Sequence, residues 1–370
     1  MTDAPIPADP SGCTAAWLTE RLHEAGHLPL VAHVQSVTTS IVGQGAGFVG
    51  TVARLEVIYV GNAAGAPASL IAKLPATDVG SREVGSIFLG LYAREVAFYK
   101  EIAADVAVAT PRCYFALHDP DTGRSILLLE DLRTGRFGDQ VLGCSPADAH
   151  LALTEIAALH ARWWNSSRLS QFSWMVPGPN VARNFMGPVY DACWPICLKR
   201  FEHVLTPRFV REGATLGRKF LAALATRARL VNTLRHADFR LDNLFFGNPG
   251  TDRPLVVCDW QAVGPGLAAY DVAYFLVTGM EPAVRRAHQD DLLRAYRDRL
   301  AAHGITDYKA DAFGTDVRWA LAAAAAVFVI NGANLPTVNE RGVAVLEHIL
   351  SRLTIALEEF DTYGLLDRRP

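Results

Sequence analysis

Apolar positions in the first third of the chain alternate with polar ones at the two-residue period of half-buried strands. A β-branched stretch at 34–42 leads into Gly43-Gln44-Gly45-Ala46-Gly47-Phe48-Val49-Gly50, and a second alternating stretch rich in Val, Ile and Tyr follows at 52–60. A turn cluster at 62–67 precedes a short apolar strand at 69–74 that contains Lys73. Apolar residues at helical spacing, among them Ile87, Leu91, Val96 and Tyr99, predict a helix over 82–104. Two more strands, 112–117 and 125–129, flank the turn Asp119-Pro120-Asp121-Thr122-Gly123. Past Glu130-Asp131-Leu132 the period becomes helical. Helices are predicted at 147–164, 281–300 and 343–360, and 209–234 reads as mostly helical. The exception is a β island, 244–246 and 255–259, around a Gly-Asn-Pro-Gly turn. The pattern predicts a β-rich front lobe joined near residue 131 to a helical back lobe.

Composition narrows the function classes. The 370 residues exceed what one core usually holds, which supports two lobes. Apolar residues make up 50% and charged residues 20%, with 29 Gly and 20 Pro, an ordinary globular balance that excludes wholesale disorder and coiled coils. With 35 Lys and Arg against 38 Asp and Glu, there is no basic excess to displace counterions from DNA or RNA, so no nucleic-acid partner is expected. Residues 1–12 carry no cationic start followed by an apolar run, so no signal peptide is expected. The most apolar stretch, 319–330, stops at Asn331 and reads as a core helix too short to span a bilayer. Six cysteines are sparse for this length. Cys193 and Cys197 sit one turn apart, but no nearby pair completes a zinc site, so reduced thiols in a cytoplasmic protein are expected.

Three segments carry candidate chemistry. Gly45-x-Gly47-x-x-Gly50 formally matches a dinucleotide fingerprint, which requires a helix directly after it. Residues 51–60 read instead as a strand, so the run suits either a plain hairpin turn or a hairpin folded over nucleotide phosphates. Lys73, inside an apolar strand, must snorkel to solvent or meet an anion, and Glu95 in the following helix has the charge and place to be that anion. The third segment is His236-Ala237-Asp238-Phe239-Arg240-Leu241-Asp242-Asn243, followed by an apolar strand, a turn and Val257-Cys258-Asp259. Clustered carboxylates repel unless a cation joins them. In phosphoryl transfer an Asp accepts the substrate hydroxyl proton, while an Asn five residues on and an Asp beyond the hairpin hold Mg²⁺. Asp238, Asn243 and Asp259 have that order and spacing.

On these segments the chain resembles the aminoglycoside phosphotransferase/choline kinase-like superfamily, and within it the branch containing ecdysteroid kinase-like proteins. The resemblance extends to Trp17-Leu18, Tyr92-x-x-Glu95-x-x-Phe98-Tyr99, Leu127-Leu128-Leu129-Glu130-Asp131-Leu132 and Gly138-Asp139-Gln140. It also takes in Leu159-His160-Ala161-x-Trp163-Trp164, Asp259-Trp260-Gln261 and Tyr270-Asp271-x-Ala273-Tyr274. It implies an α+β, bilobal protein-kinase-like fold. A β-rich N-terminal lobe with one main helix would occupy 1–131 and a larger, mostly helical C-terminal lobe 132–370. It implies ATP and Mg²⁺ as cofactors, Asp238 as catalytic base, and Asn243 and Asp259 as magnesium ligands. Lys73 and Glu95 would hold the phosphates under the loop of Gly45 and Gly47, and backbone groups of Glu130 and Leu132 would meet adenine. Arg240 would touch the γ-phosphate, or else serve in packing or a salt bridge. Asp271 would hydrogen-bond the catalytic-loop backbone. One departure is Ala237, where the family usually has glycine; if the loop needs φ > 0 there, alanine strains it by roughly 1 kcal/mol.

The expected function is transfer of phosphate from ATP to a hydroxyl of a small molecule, and a catalytically impaired nucleotide-binding relative is the alternative. An NAD-dependent oxidoreductase would require 51–60 to be helical. Residues 259–271 leave no room for a phosphorylatable activation loop, which disfavours protein substrates. The stretch 165–212 is aromatic and Arg-bearing (Phe172, Trp174, Phe185, Tyr190, Trp194), favouring a neutral or apolar alcohol over a cationic sugar, and an antibiotic is the other expected acceptor. His160 is expected in the core, and Gly138-Asp139-Gln140 has no evident physical role.

Overall fold

The structure, a computed structural model, describes residues 5–42, 50–76, 90–175, 179–226, 232–248, 250–335 and 339–367. The chain divides into two compact units. Unit 1 is Met1–Asp105, Ala109–Gly135 and Cys258–Ala262; unit 2 is Val106–Val108, Arg136–Val257 and Val263–Pro370.

Unit 1 is built on a five-stranded antiparallel sheet. Its strands are β1 (His33–Ile41), β2 (Thr51–Val60), β3 (Ser69–Leu74), β4 (Cys113–His118) and β5 (Ser125–Glu130), in the order β1-β2-β3-β5-β4. Helix α1 (Ala15–Glu24), capped by the Thr14 side chain on the N–H of Trp17, lays Trp17, Leu18 and Leu22 on one face. There they meet Leu55 and Val57 of β2, Leu70, Ala72 and Leu74 of β3, and Ile126 and Leu128 of β5. Helix α2 (Leu91–Glu101) packs on β4 and β5 and buries Tyr92, Val96, Phe98 and Tyr99. Strand β5 is therefore covered on both faces, which is why its sequence is a continuous Ile-Leu-Leu-Leu run while β3 alternates. Because 51–60 is a strand paired with β1 and β3, the helix that a dinucleotide fingerprint requires is absent, and the oxidoreductase reading falls.

Unit 2 is mostly helical. Its helices are α3 (Pro146–Arg162), α4 (Pro179–Phe201), α5 (Pro207–Thr226), α6 (Ala268–Gly279), α7 (Pro282–Ala302), α8 (Ala310–Asn334), α9 (Glu340–Glu359) and α10 (Thr362–Asp367). Every residue of α6 is buried, enclosed by α3, α7, α8 and α9, and its sequence is accordingly apolar all round apart from a few functional groups. Two small sheets interrupt the helices. Strands β6 (Gly135–Phe137), β8 (Leu244–Gly247) and β9 (Leu255–Val257) form one, and β7 (Asn232–Arg235) with β10 (Gly264–Leu267) forms the other.

Two expectations change. The stretch 209–234 is not helical to its end: the helix stops at Thr226 and 232–235 is β7. Its partner, Gly-Pro-Gly-Leu, has no strand periodicity, so this pairing depends on tertiary contact. The helix expected around 319–330 runs 25 residues, Ala310–Asn334, and by length and composition alone could cross a membrane. Of its most apolar window, 67% is buried inside the protein, as in a core helix.

Helices α4 and α5 meet through Gly213 and Gly217. A Cβ on Gly213 would stand 2.1 Å from the Trp194 ring, and one on Gly217 2.6 Å from the Tyr190 ring. The Tyr190 hydroxyl donates to the Gly213 carbonyl at 2.7 Å. Gly213→Ala is therefore expected to destabilise the protein by roughly 1–3 kcal/mol through overpacking, read as a lower urea midpoint. An unchanged midpoint would show that the Trp194 ring can move away without loss.

Candidate active site

In β3, Leu70, Ala72 and Leu74 point into the core shared with α1, so the two-residue period turns Lys73 to the opposite face. Its Nζ lies 2.9 Å from Oε1 and 2.7 Å from Oε2 of Glu95 on α2, and 2.8 Å from Oδ1 of Asp259. Glu95 is 2% exposed, and its Oε1 also accepts the N–H of Trp260. The Trp260 ring stacks on Phe98 with centroids 4.2 Å apart, and Arg94 donates to the Gln261 carbonyl, so α2 holds the segment 259–261 at three points. Burial works against the charge of Lys73, but the carboxylates of Asp259 and Glu95 outweigh it and raise the pKa above that of an ordinary lysine. Burial likewise pushes the Glu95 carboxyl up, against the pull of Lys73. Asp259 has φ of 62°, a left-handed conformation for a residue with a Cβ. Such strain clusters where a side chain must be aimed.

In unit 2, β7 leads into His236-Ala237-Asp238, and a 3₁₀ turn (Leu241–Asn243) leads out into β8. The Asp238 carboxylate is held at both oxygens. Its Oδ1 accepts the Tyr274 hydroxyl at 2.7 Å; its Oδ2 accepts Asn243 Nδ2 at 2.9 Å and Arg240 Nε at 3.4 Å. Asn243 Nδ2 also donates to the Asp238 carbonyl, which leaves the amide oxygen as the atom that could meet a cation. Burial first, and then the charge of Asp238, put the Tyr274 phenol well above its ordinary range, so it stays a donor. Arg240 is 5% exposed, and its Nη1 lies 2.6 Å from Asp242 Oδ2; its guanidinium is engaged in the salt bridge.

Asp271, at the first turn of α6, accepts the N–H of His236 at 2.7 Å and of Ala237 at 2.8 Å. Burial would raise its pKa, but the hydrogen bond and charge of His160, with the charges of His236 and Arg235, pull it below the ordinary carboxylate value. His160 is fully buried, as expected of a core residue, yet it is wired: one ring nitrogen meets Asp271 at 3.2 Å and the other the Tyr296 hydroxyl at 2.8 Å. Ala237 has φ of 67°, so the loop does require the left-handed conformation that glycine tolerates better.

The segment Gly138-Asp139-Gln140 now has a physical role. Gln140, fully buried, accepts the Leu241 N–H at 2.9 Å and donates to the Thr278 carbonyl at 2.7 Å, tying the catalytic loop to α6. Its own N–H goes to Asp242 Oδ1. Asp139 caps the N–H groups of Val141 and Leu142 and pairs with Arg341. A Cβ on Gly138 would lie 2.6 Å from the Leu241 carbonyl, so the close approach demands glycine. Sequence reasoning missed the functions of Gln140, Asp242 and Tyr274 because each acts on a partner distant in the chain. Tyr274 did carry a signal, lying one helical turn after Tyr270 and three residues after Asp271.

The other expected residues fall as follows. Gly45 and Gly47 lie outside the described residues. The Glu130 N–H donates to the Arg112 carbonyl, and β5 ends there, so Leu132 stands just past the ladder. Of the aromatic residues in 165–212, Tyr190 and Trp194 are buried against α5, while Phe172 and Trp174 are half-buried with ring centroids 5.8 Å apart. Among the described residues no group of three or more His, Cys, Asp or Glu could hold a metal ion.

Residues 44–305 match the ecdysteroid kinase-like family. No curated protein matches the chain. Among solved structures it is similar to wild-type aminoglycoside 2′-phosphotransferase-IIIa in its GDP complex, at 16% identity over 89% of this chain and 94% of that one, TM-score 0.52. It is also similar to the ethanolamine kinase of Plasmodium vivax, at 11% identity over 88% and 84%, TM-score 0.53. A third is spectinomycin phosphotransferase in complex with ADP and spectinomycin, at 11% identity over 88% and 94%, TM-score 0.51. These likenesses establish the bilobal α+β kinase-like fold.

Ala237→Gly is expected to stabilise the protein by roughly 0.5–1 kcal/mol, the relief of about 1–2 kcal/mol of left-handed strain less glycine's larger unfolded-state entropy. A urea titration reads it; a loss of stability would mean that alanine is not strained at this position.

Proposed function

The chain belongs to the ecdysteroid kinase-like family and is a small-molecule kinase, and we propose that it moves the γ-phosphate of Mg²⁺–ATP to a hydroxyl group of its acceptor. The observation that carries this reading is the buried lysine shared by two carboxylates, Lys73 with Glu95 and Asp259. Ion pairs of this kind gain little stability over apolar packing. A lysine fixed by a helix glutamate and set beside a metal-binding aspartate is what phosphate positioning needs. In this reading Lys73, oriented by Glu95, meets the nucleotide phosphates, and the loop of Gly45 and Gly47 covers them. Backbone groups near Glu130 and Leu132 meet the base.

Asp238 accepts the acceptor hydroxyl proton as the oxygen attacks phosphorus, and the nucleoside diphosphate leaves. Tyr274, Asn243 and Arg240 hold its carboxylate in one orientation. Asn243, through its amide oxygen, and Asp259 are the proposed magnesium ligands; the bound ion would neutralise charge on the transferring phosphate. The half-buried Phe172 and Trp174, with ring centroids 5.8 Å apart, support an acceptor that offers an apolar face over a polycation. One observation favours the second reading, a catalytically impaired nucleotide binder: the left-handed Ala237 directly before Asp238. The intact network around Asp238 supports the active enzyme.

Mg²⁺–ATP at 100 times its Kd is expected to stabilise the wild type by about 2.7 kcal/mol, an effect that needs magnesium and is blunted in Asp259→Asn. Asp238→Asn should keep this stabilisation and lose phosphoryl transfer by roughly 10²–10⁴-fold. Thermal melts and a coupled assay over an alcohol library measure both. Absence of any magnesium-dependent shift at millimolar nucleotide sinks the proposal, while a shift without transfer selects the impaired reading.

Tyr274→Phe keeps the stack on Phe328, whose centroid lies 5.1 Å away, and removes the O–H from Asp238. It should lower kcat by roughly tenfold or more, as expected for loss of a hydrogen bond to a charged group, with acceptor KM unchanged. A rise in KM alone would place Tyr274 in acceptor binding instead.

A further inference from the structure

Arg235 is the last residue of β7, one position before His236 of the catalytic loop. The arginines drawn deepest into unit 2 all hold partners. Arg200 donates to the carbonyls of Gly332, Ala333 and Leu335; Arg240 pairs with Asp242; Arg285 with Glu359; Arg352 with Glu281 and a run of carbonyls. Arg235 makes no side-chain hydrogen bond or ion pair among the described residues, and its Nε is buried without a partner. Its guanidinium lies instead on the face of Tyr270, 4.6 Å from the ring centroid.

The chain makes room for that placement. Arg235 faces Gly264 across the β7–β10 ladder, and a Cβ on Gly266 would stand 2.5 Å from Arg235 Nε. A Cβ on Gly264 would stand 3.1 Å from the Met175 carbonyl, which brings the Trp174-Met175 segment against the same strand. Gly266 thus clears the space in which the Arg235 side chain lies, with the Tyr270 ring against its guanidinium. Tyr270 packs on Tyr274 with centroids 5.5 Å apart, and Tyr274 holds Asp238 at 2.7 Å. Contacts of a few ångströms therefore link the cation to the proposed base, all within unit 2. The terminal amino groups are not among the buried unpaired atoms, so solvent or a ligand can reach them. A stacked guanidinium keeps its edge for a planar, two-point partner, and the natural one is an oxyanion.

We propose that Arg235 anchors an oxyanion, a carboxylate or a phosphate, carried by the acceptor alcohol, so that the substrate is an alcohol bearing negative charge. This rests on the reading of the protein as a kinase of small-molecule hydroxyls and narrows its acceptor class. Arg235 contributes an anchoring charge and no chemistry; the hydroxyl is presented to Asp238 while the anionic end is held at β7.

The test uses calorimetric binding of four probes to the full chain with Mg²⁺ and a non-hydrolysable ATP analogue: 4-hydroxybutyrate, glycerol 3-phosphate, neutral 1,4-butanediol and cationic 4-aminobutan-1-ol. At least one oxyanion probe should bind about tenfold or more tightly than the neutral and cationic ones, the size expected for a charge-assisted pair. The carboxylate and phosphate arms tell the two sources apart. Arg235→Gln should erase that preference and keep the Mg²⁺–ATP thermal shift, and Arg235→Lys should restore part of it. Equal binding or no binding of all probes to the wild type, or an equal loss for all of them in Arg235→Gln, overturns the anchor. Loss of the nucleotide shift in the wild type would instead sink the kinase reading, which separates the two failures.

Discussion

A single buried carboxylate, Asp271, organises the loop that carries Asp238, the proposed base. It sits in the first turn of α6, a helix enclosed on every side, and a charge there is tolerable only with full hydrogen bonding. The loop supplies that bonding through the N–H groups of His236 and Ala237, and α3 supplies His160. The dependence runs both ways. The two N–H groups have an acceptor only if the backbone turns left-handed at Ala237, and that turn sets the direction of Asp238. Tyr274, three residues further along the same helix, then fixes the Asp238 carboxylate. One helix thus places the proposed base through two of its side chains, Asp271 on the loop backbone and Tyr274 on the Asp238 carboxylate.

Unit 1 solves the same problem with an ion pair. Lys73 cannot be charged in so enclosed a place without anions, and Glu95 cannot be charged there without Lys73. Asp259 joins them from a segment that belongs to unit 1 by its contacts although it directly follows β9 of unit 2. The stacking of Trp260 on Phe98 and the N–H of Trp260 on Glu95 keep it there. The groups proposed to meet phosphate and metal are thus held by the protein itself.

The polar contacts around the loop also account for a motif that composition and periodicity leave unexplained. Gln140 bonds both the loop and α6, and Gly138 must be glycine for the chain to pass the Leu241 carbonyl. Buried networks of this kind specify one arrangement because each member, if misplaced, strands a polar group. The same logic singles out Arg235, the cation beside this network whose side chain makes no hydrogen bond or ion pair among the described residues.

The sequence by itself determined the elements whose period is local: strands 34–42, 52–60 and 69–74 and the helices expected at 147–164, 281–300 and 343–360 were legible to within a few residues, whereas the helix Pro179–Phe201, interrupted by two prolines, was not. It also determined which side chains could carry phosphoryl-transfer chemistry, because Asp238, Asn243 and Asp259 are ordered along a short loop–hairpin stretch. The tertiary structure alone decided what depends on distant partners. Strand β7 hides in a helical pattern because its partner, Gly264–Leu267, is recognisable only once paired. The conformation of Ala237 follows from Asp271, thirty-four residues away, and Tyr190 and Trp194 of α4 turned from candidate lining to packing because glycines of α5 lie beneath them. Short-range spacing records backbone period and the order of reactive groups; which buried charge meets which donor is written only in the packed fold.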